Sequence, residues 1–252
     1  MGTLDGQVAV VTGAGSGVGR GIALALAGEG ARVAVTGRTV AKCESVAAEI
    51  AARGGTAFAL RCDVRSRADV DASVAATVAR WERIDTLVNS AQSIAYGPIR
   101  RITEADGELT WQSGPMGSLR TMQACLPHLR QTRGSVINVA SGSGIEAQAG
   151  MGMYAMTKEA IRTLTRVAAV EWGRFGIRVN VVCPLADTPG LDHWKGDMPE
   201  AFETQVVSRI PLGRIGDPEQ DIGRAVTWLA GPDAGYVTGM TLMLDGGYTY
   251  HR

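Results

Sequence analysis

The sequence predicts an α/β fold, a doubly wound parallel sheet of about seven strands with helices on both faces, in a single domain over 1-252. Three observations predict it. Short β-branched apolar runs alternate with segments of helical period. Those runs are apolar at consecutive positions, as strands covered on both faces must be. The connections are short, which implies parallel strands and right-handed crossovers. With 252 residues, 45% hydrophobic and 20% charged, the chain is long and apolar enough for one core to hold the fold.

The elements follow in order. Val8 to Val11 is the first strand. Gly19 to Glu29 is a helix, with Ile22 and Leu26 at helical spacing and Gly28 and Gly30 at its end. Arg32 to Thr36 is the second strand. Val40 to Arg53 is a helix that sets Cys43, Val46, Ala47 and Ile50 on one face, and Gly54-Gly55 stops it. Thr56 to Leu60 is the third strand, and Val70, Val74, Val78 and Trp81 then line a helix stripe. Ile84 to Val88, Ser135 to Val139, Ile177 to Val182 and Thr241 to Leu244 are the fourth to seventh strands. Tyr154 to Phe175 and Pro218 to Leu229 are helical. Leu185 to Pro211 breaks the rhythm with Pro184, Pro189, Pro199 and Pro211 around it. It is too long for an ordinary connection, and long loops of this kind are often functional, so a substrate loop or lid is expected at about 185–211.

Composition excludes several function classes. Twenty-five basic and 25 acidic side chains give a formal net charge of zero, against the clustered positive charge of a nucleic-acid binder. No apolar run approaches the ~20 residues of a membrane span. Cys43, Cys62, Cys125 and Cys183 form no C-x-x-C, and His128, His193 and His251 make no ligand pattern with them, so no metal site is expected. Four reduced thiols and an N-terminus without basic or apolar leader character point to a cytoplasmic protein.

Thr12-Gly13-Ala14-Gly15-Ser16-Gly17-Val18-Gly19 joins the first strand to the first helix. Glycines in that position let the backbone turn tightly and approach a pyrophosphate, whose charge the helix N-terminus favours. The end of the second strand selects the dinucleotide. An NAD site wants an acid there for the ribose 2′-hydroxyl. This chain offers Thr36-Gly37-Arg38, and no carboxylate until Glu44. Arg38 suits a 2′-phosphate, so NADP(H) is expected over NAD(H). Tyr154 and Lys158 stand at i and i+4 on one helix face, and Lys42, Lys158 and Lys195 are all the lysines the chain has. A neighbouring ammonium favours a phenolate and would make Tyr154 a better acid–base catalyst near neutrality. Ser141 follows the fifth strand, at the carboxyl edge where open α/β sheets bind ligands.

These residues, with Asp63-Val64, Asn89, Asn180 to Pro184 and Asp245-Gly246-Gly247 in the same order, make the whole chain resemble the short-chain dehydrogenase/reductase family. The resemblance implies a Rossmann-type fold. It implies that Tyr154 exchanges a proton with the substrate oxygen while a hydride moves between nicotinamide and carbon. Lys158 would hold the nicotinamide ribose and lower the Tyr154 pKa, and Ser141 would hydrogen-bond the developing oxyanion. Asp63 and Val64 would face adenine, Asn89 and Ala91 the ribose, and Pro184 and Thr188 the carboxamide. The family also implies a homo-oligomer, a tetramer or dimer, packed through Tyr154 to Phe175 and Pro218 to Leu229.

Three positions depart from the family. Asn89-Ser90-Ala91-Gln92 replaces Asn-Asn-Ala-Gly, so Gln92 needs negative φ or displaced neighbours, and it can reach the substrate pocket. Gly114 stands where the family has its fourth catalytic residue, an Asn, and Pro115 follows inside an expected long helix. A proline there costs ~3 kcal/mol, so a break is expected, with freed carbonyls holding the water the Asn would position. Pro184-Leu185 replaces Pro-Gly, and Thr188 arrives one residue early.

Three functions follow as alternatives. The first is an NADP(H)-dependent ketone reductase or alcohol dehydrogenase. The second is an NADP(H)-binding protein with little turnover, a sensor or partner subunit. The third is a dehydratase or isomerase on the same fold. Gln92 to Tyr96, 142–148, Gly150 to Met153 and the chain from Leu185 are the expected pocket walls, and Gln92, Tyr96, Ile145, Met151 and Leu185 are the candidate substrate residues. They suit an apolar carbonyl or secondary alcohol of medium size.

Overall fold

In the computed structural model, which describes residues 2–146 and 148–249, seven strands form one parallel sheet. They are β1 (Val8–Thr12), β2 (Arg32–Gly37), β3 (Thr56–Arg61), β4 (Thr86–Asn89), β5 (Ser135–Val139), β6 (Arg178–Pro184) and β7 (Thr241–Leu244). Their order across the sheet is β3-β2-β1-β4-β5-β6-β7. The order reverses between β1 and β4, and that switch point is where two connections diverge and leave a crevice at the carboxyl edge.

Alternation along the strands feeds two cores. Ala9, Val11, Val33, Val35, Val88 and Val182 face α1 (Gly17–Gly28), α2 (Val40–Ala52) and α9 (Arg224–Ala230). Val8, Val10, Ala34, Leu87, Val136 and Val179 face the opposite layer. That layer holds α3 (Arg67–Trp81), α5 (Pro115–Thr132) and α6 (Gly152–Trp172). Local signals set the boundaries. Ser66 accepts from the Asp69 N–H at the start of α3. Thr103 and Asp106 form a capping box that opens α4 (Glu104–Ser113).

The chain breaks where Pro115 requires it. The helix ends at Ser113, Gly114 turns with φ −87° and ψ −95°, and α5 begins at Pro115 as its first residue. One expectation needs correction. The stretch 185–211 is not a long loop. It contains α7 (Pro189–Asp197), α8 (Pro199–Gln205) and a 3-10 turn, Val207–Arg209. Pro189 and Pro199 read as loop breakers, yet each opens a helix, where the missing N–H costs nothing. Pro218 to Leu229 is helical as expected, with Pro218–Gly223 wound as a π-helix that leads into α9. Asp217 caps it through the N–H groups of Glu219 and Gln220 at 2.8 and 2.7 Å. Among the described residues no helix is long and apolar enough to cross a membrane, and Cys43, Cys62, Cys125 and Cys183 are all free and buried.

Candidate active site

A cleft of about 570 Å³ opens at the switch point, at the carboxyl ends of the strands. Its floor is the β1–α1 turn. Gly13, Gly15, Ser16, Gly17, Val18 and Gly19 all line it. Gly13 has φ +66°, and a Cβ there would lie 2.7 Å from the Ala91 Cα. A Cβ on Gly19 would run into the Gly13 carbonyl oxygen. The turn is therefore a cradle that side chains would fill. Ser16 caps α1 without a side-chain bond, and the first turn holds no acid, so this helix start is left for an anion. The Thr12 hydroxyl fixes the facing loop by accepting from the Ser90 and Ala91 N–H groups at 3.1 and 3.2 Å. These residues fit a dinucleotide.

Arg38 lines the cleft at the end of β2, as expected, and Lys42 from the first turn of α2 joins it. Neither makes an ion pair among the described residues. Lys42 was not among the expected site residues, although it stands four positions after Arg38 and packs over Gly15. Asp63 and Val64 line the same end. Arg65 holds the Asp63 carboxylate through both oxygens, at 3.0 and 2.6 Å, and keeps it well below the usual carboxylate range.

Ser141, Tyr154 and Lys158 meet at the other end of the cleft. The Ser141 hydroxyl accepts from the Ser143 N–H at 3.2 Å. Burial pushes the Tyr154 phenol up to about 12, while its hydrogen bond with Ser141 pulls it down. The Lys158 ammonium is buried, donates to the Val139 carbonyl at 2.8 Å and lies 5.4 Å from the centre of the Tyr154 ring. Burial pushes it down to about 8. The direction differs from the expected lowering because desolvation of the phenol dominates, with Tyr96 and Cys183 adding to it and only Ser141 opposing it. Tyr96 stands over Tyr154 with ring centres 5.9 Å apart.

Ala91, Pro184, Leu185, Thr188, Tyr96 and Met151 also line the cleft. Asn89 and Ile145 do not. Asn89 is buried beneath it, donating to Asn138 at 2.9 Å and accepting from Thr121 at 2.6 Å. It is held by the sheet rather than turned outward, because its register partner in β5 is another asparagine. Ile145 ends the 3-10 turn after Ser141 and is not part of the wall. Of the expected wall 142–148, Ala147 lies outside the described residues, as does His251. Gln92 adopts negative φ and lines the cleft. The Gln92 amide nitrogen and the Thr110 carbonyl oxygen both face the notch at Gly114, 2.9 and 3.1 Å from where a Cβ would stand. Thr249 and Tyr248 complete the wall from the segment after β7. The terminal Asp-Gly-Gly motif pointed to that segment, but to no side chain in it. Among the described residues no group of three or more His, Cys, Asp or Glu is placed to hold a metal ion.

A parallel sheet with a glycine cradle at its switch point defines the class, a Rossmann α/β protein with a dinucleotide-shaped cleft. Comparison with known proteins narrows it. A family model described as enoyl-(acyl carrier protein) reductase matches residues 13–249. The chain is 44% identical over 255 residues to the 12alpha-hydroxysteroid dehydrogenase of a Clostridium species, covering 98% of each. It is 36% identical over 249 residues to the 2-(R)-hydroxypropyl-CoM dehydrogenase of Xanthobacter autotrophicus, covering 96% of this chain and 98% of the relative. A solved structure from Sinorhizobium meliloti, assigned as a short-chain alcohol dehydrogenase, superposes with a TM-score of 0.92 at 32% identity, covering 97% of each chain. The chain belongs to the short-chain dehydrogenase/reductase family. Its chemistry is that of a dehydrogenase/reductase at a CH–OH/C=O centre, and membership implies a nicotinamide cofactor, NAD(H) or NADP(H).

Proposed function

We propose that the chain is a single-domain, NADP(H)-dependent ketone reductase and alcohol dehydrogenase in which Tyr154 moves the proton. We propose further that its substrate is an apolar polycyclic alcohol or ketone of the hydroxysteroid class. One observation supports the reading above all others: Ser141, Tyr154 and Lys158 converge on the cleft that contains the glycine cradle. A bound nicotinamide supplies the hydride to the carbonyl carbon or accepts it from the alcohol. Tyr154 gives its phenolic proton to the carbonyl oxygen as that oxygen gains charge, and takes it back in oxidation. Ser141 donates to the same oxygen, an electrostatic contribution worth ~3 kcal/mol in such sites. Lys158 anchors the ribose hydroxyls with the N–H groups not used at Val139.

The glycines from Gly13 to Gly19 with Ser16 and Val18 would hold the pyrophosphate, and Asp63, Val64 and Ala91 the adenosine side. Pro184 and Thr188 would meet the carboxamide. Arg38 and Lys42 support NADP(H), because two cations without ion-pair partners at the end of β2 suit a 2′-phosphate. Ile94, Tyr96, Met151, Leu185, Leu191 and Val206 support an apolar substrate, with Leu191 and Val206 coming from the 185–211 segment that would cover it. The identity to a hydroxysteroid dehydrogenase names the ring system to try first.

The test is a titration with NADPH and NADH, followed by mixing the complex with a 12-oxo steroid. NADPH should bind about tenfold more tightly or better and be consumed in step with the steroid alcohol formed. Equal or tighter NADH binding would overturn the cofactor assignment. Binding with no consumption would overturn the substrate assignment, and product without net redox would overturn the reaction.

A further inference from the structure

Gln92 and Gly114 are far apart in sequence, and they occupy one space. A Cβ on Gly114 would lie 2.9 Å from the Gln92 Nε2, 3.1 Å from its Cδ and 3.1 Å from the Thr110 carbonyl oxygen. A side chain at 114 would force the Gln92 amide out of its present place. From that notch the Gln92 Nε2 donates to the Thr157 Oγ1 at 2.8 Å. Thr157 is fully buried in the first turns of α6, and its hydroxyl donates in turn to the Tyr154 carbonyl at 2.8 Å. Thr157 directly precedes Lys158. A chain of two hydrogen bonds therefore runs from the loop after β4 to the backbone of Tyr154. The loop is itself held to α4: the Ser93 N–H donates to Ser113 at 2.9 Å and the Ala95 N–H to Thr110 at 3.2 Å. Among the described residues the Gln92 Oε1 is buried without a hydrogen-bond partner.

We propose that Gln92 is a positioning residue that clamps the Tyr154–Lys158 turn through Thr157, and that Gly114 is glycine in order to admit its amide. The two residues then form one device. A methyl group at 114 expels the amide and acts on Tyr154 from the far side of the break between α4 and α5. Once Gln92 is gone, the same methyl group meets only the Thr110 carbonyl oxygen. The inference rests on the proposed role of Tyr154, but the clamp itself can be read without it.

The experiment compares wild type, Gln92→Ala, Gly114→Ala, the double variant and Thr157→Val, with Tyr154→Phe alongside. The first readout is amide hydrogen exchange in the peptide spanning residues 152–162, with melting temperature recorded for each protein. The second is kcat and KM for NADPH-dependent reduction of a 12-oxo steroid. Gln92→Ala, Gly114→Ala and Thr157→Val should each speed exchange of that peptide and lower kcat about tenfold, with KM little changed. The double variant should be no worse than Gln92→Ala. Thr157→Val keeps the shape of the residue and serves if a notch variant folds poorly. Losses that multiply in the double variant would overturn the shared device. Wild-type exchange in all variants would overturn the clamp, and so would a change in KM at constant kcat. Full turnover by Tyr154→Phe would instead overturn the reading of Tyr154, leaving the exchange result to judge the clamp.

Discussion

A buried phenol and a buried ammonium share this site, and burial moves their proton affinities in opposite directions. Tyr154, pushed up to about 12, stays protonated through the neutral range and is ready to act as an acid. We expect ketone reduction to hold steady through neutral pH, while alcohol oxidation climbs with pH as the phenolate becomes accessible; initial rates in both directions between pH 6 and 10 check this. Lys158 is lowered from 10.5 to about 8. Between those values the unfolded chain binds more protons than the folded one, so this residue makes stability rise with pH across that window and lowers it at pH 7. Lys158→Met should therefore melt higher than wild type at pH 7, with the gain vanishing above about pH 10, and should be inactive. A lower melting temperature at pH 7 would show that the bond to Val139 outweighs desolvation. At the end of β2, where we propose a 2′-phosphate site, Arg38→Ala should weaken NADPH about 10–100-fold and leave NADH unchanged, the scale of one lost charge-assisted contact. Ser141, Tyr154, Lys158 and the glycines were legible because their chemistry is written in local spacing. The Gln92–Thr157 contact was not, because it joins residues 65 positions apart. Nor was the Asn89–Asn138 bond, across 49 positions, which holds the Asn89 side chain within the sheet.

At the scale of elements, the strands were the legible part. A run such as Ser135 to Val139, fully buried on both faces, has no competing reading, and its neighbours differ from expectation only at their ends. Proline was read less well. Pro115 marked a real break, since a helix interior cannot supply the missing N–H. In the sequence Pro189 and Pro199 signal a loop, but a proline also starts helices, and only the flanking structure distinguishes the two roles. The β1–α1 turn makes the sharpest prediction here. Gly19→Ala puts a methyl group against the Gly13 carbonyl oxygen. It should lower the melting temperature and weaken cofactor binding more than tenfold, both measurable in one thermal-shift titration. Unchanged affinity would mean that the cradle is not where the dinucleotide lies.

For the whole molecule, the outer side of α6 remains uncovered. Val170 is 84% exposed, Met156 61% and Val167 49%, and Trp228 of α9 is 43% exposed. Apolar side chains this exposed on helices suit an interface between copies of the chain. We expect light scattering to give a dimer or tetramer and Val170→Glu to give a smaller species; a monomeric wild type would remove the expectation. The cleft that the sheet order creates brings Ser141, Tyr154 and Lys158 to the glycine cradle. Its proposed chemistry is checked by rapid mixing of the NADPH complex with a 12-oxo steroid, for wild type and Tyr154→Phe. Cofactor oxidation is expected in the wild type, and in the variant NADPH bound with near wild-type affinity but oxidised at least about 1,000-fold more slowly, a loss within the range of one acid–base group. Oxidation at the wild-type rate in Tyr154→Phe would contradict that chemistry.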